Sequence, residues 1–447
     1  MADEFHRTFA GGTAPYENDD IAGAEYPQPA LDRSFPDAAY DNAINELPGL
    51  KAPGEDYVKG ILLKEIWSKA LRQPFIRLGN AALDLGHYPT PFKRTLTAIA
   101  RKANRPSYQV AGAYRPLALI VLLARLYDMI VSNYLAGHLE TTFYLPDQSF
   151  GGRVARSTTD ALTVLTEDMR KAWANGSCVA VLSCDAEACF PSFRNDRVVH
   201  AMKMAAVPEK LRNLIASYLH ERVTTDRLNG VVSHQFVLAG GLPQGSSLSG
   251  PLSNLYMASL PKKITEEHGI PNVIFADDFN VYATGATVAE ARARLETAAP
   301  SILEWGVRHG IHFALHKWVY GYFTSNFRCD DPEPLRFGDI SLEPKKAMKL
   351  LGVWIDRKLK FKTHGQAAVK KGQAAVMMLS ALANTQSGLT FGLWHRLYNS
   401  CVTPATDYGA FVWHSYNKPS GTTKDLQTKV QNLALRSMLG EIGRAHV

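Results

Sequence analysis

Val273 to Tyr282, which reads VIFADDFNVY, constrains this chain more than any other stretch. Apolar runs at Ile270 to Ala276 and Phe279 to Tyr282 flank only Asp277 and Asp278. A two-residue connection between such runs predicts a tight antiparallel hairpin. Acidic pairs also occur in purely structural turns. On rigid strands, however, they can form a precise site. A further apolar run, VAVLSC at Val179 to Cys184, reads as a buried strand and ends directly before Asp185. Gathered carboxylates repel, by roughly 1–4 kcal/mol for two at 4 Å at effective dielectrics of 80 to 20. A divalent cation removes that repulsion. Two Mg²⁺ ions about 3.5–4 Å apart would suit phosphoryl transfer.

Composition excludes several classes. The apolar fraction is 46% and the charged fraction 20% of 447 residues, enough for a large core and against a mainly disordered chain. Five cysteines indicate reduced, intracellular usage, not a disulfide scaffold. They are Cys178, Cys184, Cys189, Cys329 and Cys401, and their spacing makes no zinc knuckle. The longest apolar run, Leu117 to Ala124, is broken by Arg125 and cannot span a membrane. No signal peptide or other targeting signal is recognisable, so a nuclear or cytoplasmic location is expected. Residues 1–50 hold two basic and ten acidic side chains, whereas residues 331–447 hold sixteen basic and eight acidic. A basic body behind an acidic leader suits a polyanionic partner.

Along the chain, residues 1–47 lack a sustained apolar period and read as a mostly flexible leader. Helical spacing is expected at Asn80 to Lys102, Leu117 to Leu139, Asn195 to Ala205, Glu209 to Glu221 and Ala289 to Gly306. Further strands are expected at Val231 to Leu238, His312 to Phe323 and Leu350 to Ile355. Helical patterns dominate from His364 on. Helices, then a mixed centre with antiparallel pairs, then helices argue for an α+β fold.

Two other features carry chemistry. Gly240 to Pro251, GGLPQGSSLSGP, is a glycine-rich loop opening a helical stretch at Leu252 to Leu260. Glycine there leaves room for backbone to approach a flat ligand, although a capping loop would look similar. Arg101, Lys102 and Arg105 precede the run AYRPLALI at 113–120 and could clamp phosphates or form a solvated face.

Taken in order, these segments resemble the reverse transcriptase domain of non-LTR (LINE-like) retrotransposons. The resemblance rests on KAPGED at 51–56, AYRPLALI at 113–120, DQSFGGRVARSTTDAL at 147–162 and SCDAEACFPSF at 183–193. It continues through GLPQGSSLSGPLSNLYM at 241–257, FADDFNVYATG at 275–285 and LLGVWIDRKLKF at 350–361. YNSCVTPATDYGAFVW at 398–413 and LQTKVQNLALRSMLG at 426–440 match the segment beyond the polymerase palm. It implies a right-hand architecture with helical fingers (48–178), an antiparallel-sheet palm (179–362) and a helical thumb (363–447). Asp185, Asp277 and Asp278 match the metal-binding aspartates. Phe190 matches the aromatic that excludes a 2′-OH. Gln244 and Gly245 match the loop touching template and incoming nucleotide. Arg115 and Lys102 match finger residues that grip the triphosphate. Lys317 resembles a lysine that protonates pyrophosphate, and Leu350, Leu351 and Gly352 a primer-grip turn.

The resemblance also implies an activity. An RNA-directed DNA polymerase would add dNTPs to a primer 3′-OH on an RNA template, with two Mg²⁺ ions or with Mn²⁺. Endonuclease and RNase H functions, not recognisable here, would come from the full-length element. A maturase-like reverse transcriptase, an RNA-directed RNA polymerase and an inactive nucleic-acid-binding fragment remain open alternatives. Three positions depart from the family pattern: Phe275 for Tyr, Pro191 for Asp and Ser253 for Phe. The aromatics Trp394, Tyr398, Tyr408 and Trp413 are expected in the core. Glu441 to Val447 continues no core pattern, and its back-translation resembles a sequencing adapter, so an exposed foreign tail on a truncated chain is expected.

Overall fold

The computed structural model describes residues 16–103, 105–325, 333–382, 389–414 and 421–438. Cys329 and the heptapeptide 441–447 lie outside them. The chain divides into two compact units. The first comprises Met1–Ala155, Asp185–Phe279 and Ala299–His316; the second comprises Arg156–Cys184, Asn280–Ala298 and Lys317–Val447. Each unit draws on separated stretches, so neither follows the linear boundaries expected from the sequence.

Residues 16–47 of the first unit correct, for that part, the reading of 1–47 as a mostly flexible leader. Within it, helix α1 (Asp37–Glu46) buries Tyr40, Ala43 and Ile44. Phe35, Tyr40 and Leu47 are fully buried. They join an aromatic core with Phe75 of α2 (Arg72–Asp84) and with Tyr127 and Tyr134 of α3 (Leu122–Thr141). Ahead of α1, the acidic residues find specific partners. Asp20 takes two hydrogen bonds from Arg197, at 3.0 and 2.6 Å, and Arg197 also donates to the Glu17 carbonyl. Tyr16 donates to Asp196 at 2.6 Å, and the Arg194 guanidinium lies over the Tyr16 ring. Composition misled here because the partners are nearly 180 residues away. They sit on α5 (Asn195–Met204) or just before it; α5 and α6 (Glu209–Leu219) form the expected helix pair.

The stretch expected to be helical fingers contributes two strands to a four-stranded sheet. Its strands are β1 (Arg94–Arg101), β2 (Tyr114–Ile120), β4 (Val223–Leu228) and β5 (Val231–Val237), in the order β2-β1-β4-β5. β1 pairs antiparallel with β2, from Thr95 opposite Ile120 to Arg101 opposite Tyr114, and parallel with β4. The helical expectation for Asn80 to Lys102 therefore holds only to the end of α2. RTLTAIAR alternates Thr, Thr and Ile at period two, which favours a strand once partners exist on both sides. One partner, β4, is more than 120 residues away, where a local pattern cannot see it. The expected helix from Leu117 begins at Leu122, after β2.

In the second unit, β3 (Cys178–Asp185) pairs antiparallel with β8 (Val319–Phe323), from Val179 opposite Phe323 to Ser183 opposite Val319. Of the strand expected at His312 to Phe323, only this last part forms. Helix α4 (Thr158–Ala174) starts with a reciprocal cap: the Ser157 hydroxyl accepts from the Asp160 amide and the Asp160 carboxylate from the Ser157 amide. Strands β11 (Ala347–Leu350) and β12 (Val353–Asp356) make a hairpin turning at Leu351 and Gly352. Helix α10 (Lys362–Leu382) buries Val369, Val376 and Leu379 against Trp394 and Val430. Trp394 and Trp413 are core residues as expected, whereas Tyr408 is 41% exposed. Among the described residues, no helix is long and apolar enough to cross a membrane.

The Asp20–Arg197 pair gives the first testable outcome. The Arg197 side chain is 1% exposed. Removing its carboxylate strands a buried charge, which costs about 3 kcal/mol. Asp20→Ala should shift the denaturant midpoint by the corresponding amount. An unchanged midpoint would mean that this segment is not part of the folded body.

Candidate active site

The hairpin forms with a small shift from the expected one. β6 (Asn272–Phe275) turns into β7 (Asp278–Gly285) over Ala276 and Asp277, so Asp278 is a strand residue and Asp277 a turn residue. Ala276 adopts φ +55°, a left-handed conformation that a two-residue hairpin turn demands. Asp185 terminates β3, and its carbonyl accepts from the Ala314 amide at 3.0 Å. The next residue, Ala186, donates its amide to the Asp277 carbonyl at 3.4 Å. Backbone contact thus ties the strand-end carboxylate to the hairpin tip.

Electrostatics show the three side chains in mutual range. The Asp278 carboxyl is pushed from 3.8 up to about 6, first by burial and then by the negative charges of Asp277 and Asp185. The same two carboxylates add to the burial that pushes the nearby Cys189 thiol up. Among the described residues, no group of three or more His, Cys, Asp or Glu side chains is gathered tightly enough to hold a metal ion as it stands. The donors are nevertheless hard carboxylate oxygens, and the charges of Asp185 and Asp277 disfavour the ionised form of Asp278. That set suits a hard divalent cation such as Mg²⁺ or Mn²⁺.

A chain of backbone contacts links this tip to most of the other expected site residues. After Asp185, Ala188 at φ +47° starts the short helix Cys189–Ser192, which carries Phe190. The Phe190 ring is half-buried and meets Phe193 edge-on at 6.1 Å. Its carbonyl accepts from the Leu242 amide at 2.7 Å, and the Phe193 carbonyl from the Gly241 amide at 2.8 Å. Two residues on, the Gln244 carbonyl accepts from the Ala118 amide of β2 at 2.7 Å. Gly245 has φ +139°, and a Cβ there would stand 2.4 Å from the Ala118 carbonyl oxygen. Only glycine satisfies both demands. Pro191, one of the departures from the family pattern, packs its backbone where a Cβ on Gly241 would have to go.

β2 also carries Arg115, whose side chain is exposed and which pairs with Ala100 of β1. Lys102 follows β1, and its ammonium donates to the Gly112 carbonyl at 2.9 Å. Lys317 and the turn at Leu350, Leu351 and Gly352 belong to the second unit. In that unit the Tyr408 hydroxyl donates to the Leu351 carbonyl at 2.9 Å. Leu351 has φ +45° without being glycine, so this turn is held in place by its surroundings. Of the cysteines, Cys178, Cys184 and Cys189 are buried and Cys401 is exposed.

Sequence reasoning missed the layer beneath the glycine loop: Tyr88, Asp128 and Arg222. Asp128 and Arg222 are 0% and 3% exposed. Arg222 donates to the Gly240 carbonyl at 3.3 Å and the Gly241 carbonyl at 2.5 Å. A signal existed for one of them. Asp128 interrupts the apolar face of LIVLLARLYDMIV, and a charge placed there is either buried or a break in the helix.

Comparison with known proteins gives the family of this chain. The family model described as "Reverse transcriptase (RNA-dependent DNA polymerase)" matches residues 100–355. Similar curated proteins include a probable RNA-directed DNA polymerase from transposon BS of Drosophila melanogaster, 25% identical over 83% of this chain and 41% of that protein. The RNA-directed DNA polymerase from mobile element jockey of the same species is 24% identical over 83% of this chain and 40% of its own length. The chain therefore spans about two fifths of the length of these relatives. Among solved structures, an apo telomerase from Candida tropicalis aligns with 67% of this chain and 59% of its own at a TM-score of 0.42 and 12% identity.

The raised Asp278 carboxyl sets the sign of a pH effect. Folding takes up a proton between pH 3.8 and about 6, so this group's favourable contribution is complete below about pH 4 and is lost as the pH rises through 6. In chelator at pH 8, Asp278→Asn should stabilise the protein by on the order of 2 kcal/mol. The gain should disappear below pH 4. Melting curves across that range decide: a gain independent of pH would show that charge repulsion is not its source.

Proposed function

Because this chain belongs to the reverse transcriptase family, we propose that it is an RNA-directed DNA polymerase of a non-LTR retrotransposon, extending a primer 3′-OH with dNTPs on an RNA template. The observation that carries this reading is that Asp185 and Asp277 lie within electrostatic range of Asp278, with Phe190 following Asp185 in the chain and the Gln244–Gly245 loop joined to the Phe190 segment by backbone hydrogen bonds. Asp185 and Asp277 would hold the divalent cations, Mg²⁺ or Mn²⁺. Asp278, which burial makes reluctant to ionise, is the weaker or structural ligand. Bound cations would supply a lowered pKa for the primer hydroxyl and charge neutralisation for departing pyrophosphate.

The chain's own residues do the positioning. Phe190 lies in the first turn after Asp185, where its ring would limit the sugar to one without a 2′-OH. Gln244 and Gly245 present backbone to template and nucleotide. Arg115 reaches from β2 toward the triphosphate, with Lys102 beside it. Lys317 would donate a proton to the leaving pyrophosphate. Since the nucleophile belongs to the substrate, orientation and electrostatics account for the rate. The RNA template, the DNA primer and the supply of endonuclease and RNase H functions by a longer element all belong to this proposal.

Primer extension on poly(rA)/oligo(dT) with Mg²⁺ tests it. Wild-type protein should extend, and Asp185→Asn should lose at least about 100-fold in rate, in line with removing a principal electrostatic element. Phe190→Ala should raise ribonucleotide incorporation relative to dNTP. Arg115→Ala should raise the KM for dNTP with duplex affinity nearly unchanged. Duplex binding without any extension would instead favour an inactive nucleic-acid-binding fragment.

A further inference from the structure

The glycine loop stands on a buried carboxylate. Asp128 of α3 is fully buried and carries no direct ion pair on either oxygen. Instead, Oδ1 accepts from the Tyr88 hydroxyl and Oδ2 from the Ser246 hydroxyl, both at 2.5 Å. Hydrogen bonds to a charged acceptor at this length are the strong kind. Ser246 is also held from its own side, because its oxygen accepts from the Leu248 amide at 3.2 Å. One turn further along α3, the Ser132 hydroxyl donates to the Ser247 carbonyl at 3.0 Å. Ser246 directly follows Gly245.

Burying a carboxylate is expensive. Asp128 is pushed up to about 6 by desolvation, against the opposing pull of Ser246, Tyr88 and the positive field of Arg222. A threonine or asparagine could cap a loop at far lower cost. What a carboxylate adds is two strong, divergent acceptors that fix both hydroxyl donors in one orientation. One donor belongs to the core residue Tyr88, which packs on Tyr218 at 5.0 Å. The other belongs to the loop. The arrangement therefore ties a glycine-rich loop to the buried aromatic core of the first unit.

We propose that Asp128 is a positioning residue for the incoming nucleotide: through Ser246 it sets where the Gln244–Gly245 backbone stands, and so how well that backbone receives a dNTP. This rests on the polymerase reading above. Asp128 touches no reacting atom, so its effect should fall on nucleotide affinity and not on the chemical step. Asp128→Asn keeps the shape and removes one acceptor. Ser246→Ala cuts the same link from the loop side and disturbs the core less.

Steady-state extension with varied dNTP, combined with gel-shift titration of primer–template, tests the idea in both variants. The expected result is a KM for dNTP raised about 10-fold, the size of one hydrogen bond to a charged group. kcat and primer–template Kd should stay within about threefold, less than one such bond is worth. The double variant should be no worse than the more affected single one, since both cut one link. A merely structural role predicts lower melting temperature and reduced kcat with an unchanged KM, and that pattern would overturn the proposal. Should wild-type protein extend no primer, the polymerase reading fails, and with it the role in nucleotide binding. The clamp itself is read separately by amide hydrogen exchange. Residues 244–249 should exchange faster in both variants while β1 does not, and equal exchange would sink the clamp.

Discussion

The buried carboxyl of Asp278, held within range of the negative charges of Asp277 and Asp185, is the constraint on which the candidate site depends. Left to themselves, three acidic side chains at strand ends would separate into solvent. They stay together because each is fixed through backbone: Asp185 by the Ala314 amide, Asp277 by the Ala186 amide, and Asp278 by its place in β7. The energetic cost is visible in the reluctance of Asp278 to ionise. Under the proposed polymerase reading, such a cost would exchange some stability of the empty protein for readiness to bind a cation.

The same exchange recurs one layer out. Asp128 and Arg222 are charges placed where water cannot reach, and both spend their hydrogen bonds on the glycine loop or its support. Around them the core is conventional: Tyr88, Tyr127, Tyr218 and Phe75 meet at edge-on or tilted angles, which suits aromatic quadrupoles.

What was legible in the sequence was local. The hairpin, the strand ending at Asp185, the glycine loop and the helix pair at 195–219 each announce themselves within about twenty residues. What was illegible depended on distant partners. β1 reads as helix until β4 is placed beside it. The segment 16–47 reads as solvent-exposed until Arg197 and Asn80 are found to receive it. Tyr88 and Arg222 gave no signal at all, since a tyrosine and an arginine become a support for the loop only when the chain between them is folded. The exact ends of the hairpin shifted for a smaller reason: a turn needs two residues in turn conformation, and Ala276 takes one of those places.

Pairing between Asp20 and Arg197 has a consequence during synthesis. The two residues are 177 apart, so the acidic segment leaves the ribosome long before its partner exists. At about 5–20 residues per second, the wait is about 10–35 seconds. For the first part of that time Phe35 and Tyr40 also lack their aromatic neighbours Phe75, Tyr127 and Tyr134, which follow them in the chain. The surplus of acids in the first 50 residues suits this interval, since like charges keep the nascent segment extended and hydrated. Carboxylates of this segment thus serve twice, first as a solubilising coat and later, as Asp20 and Asp41 do, as partners for arginine.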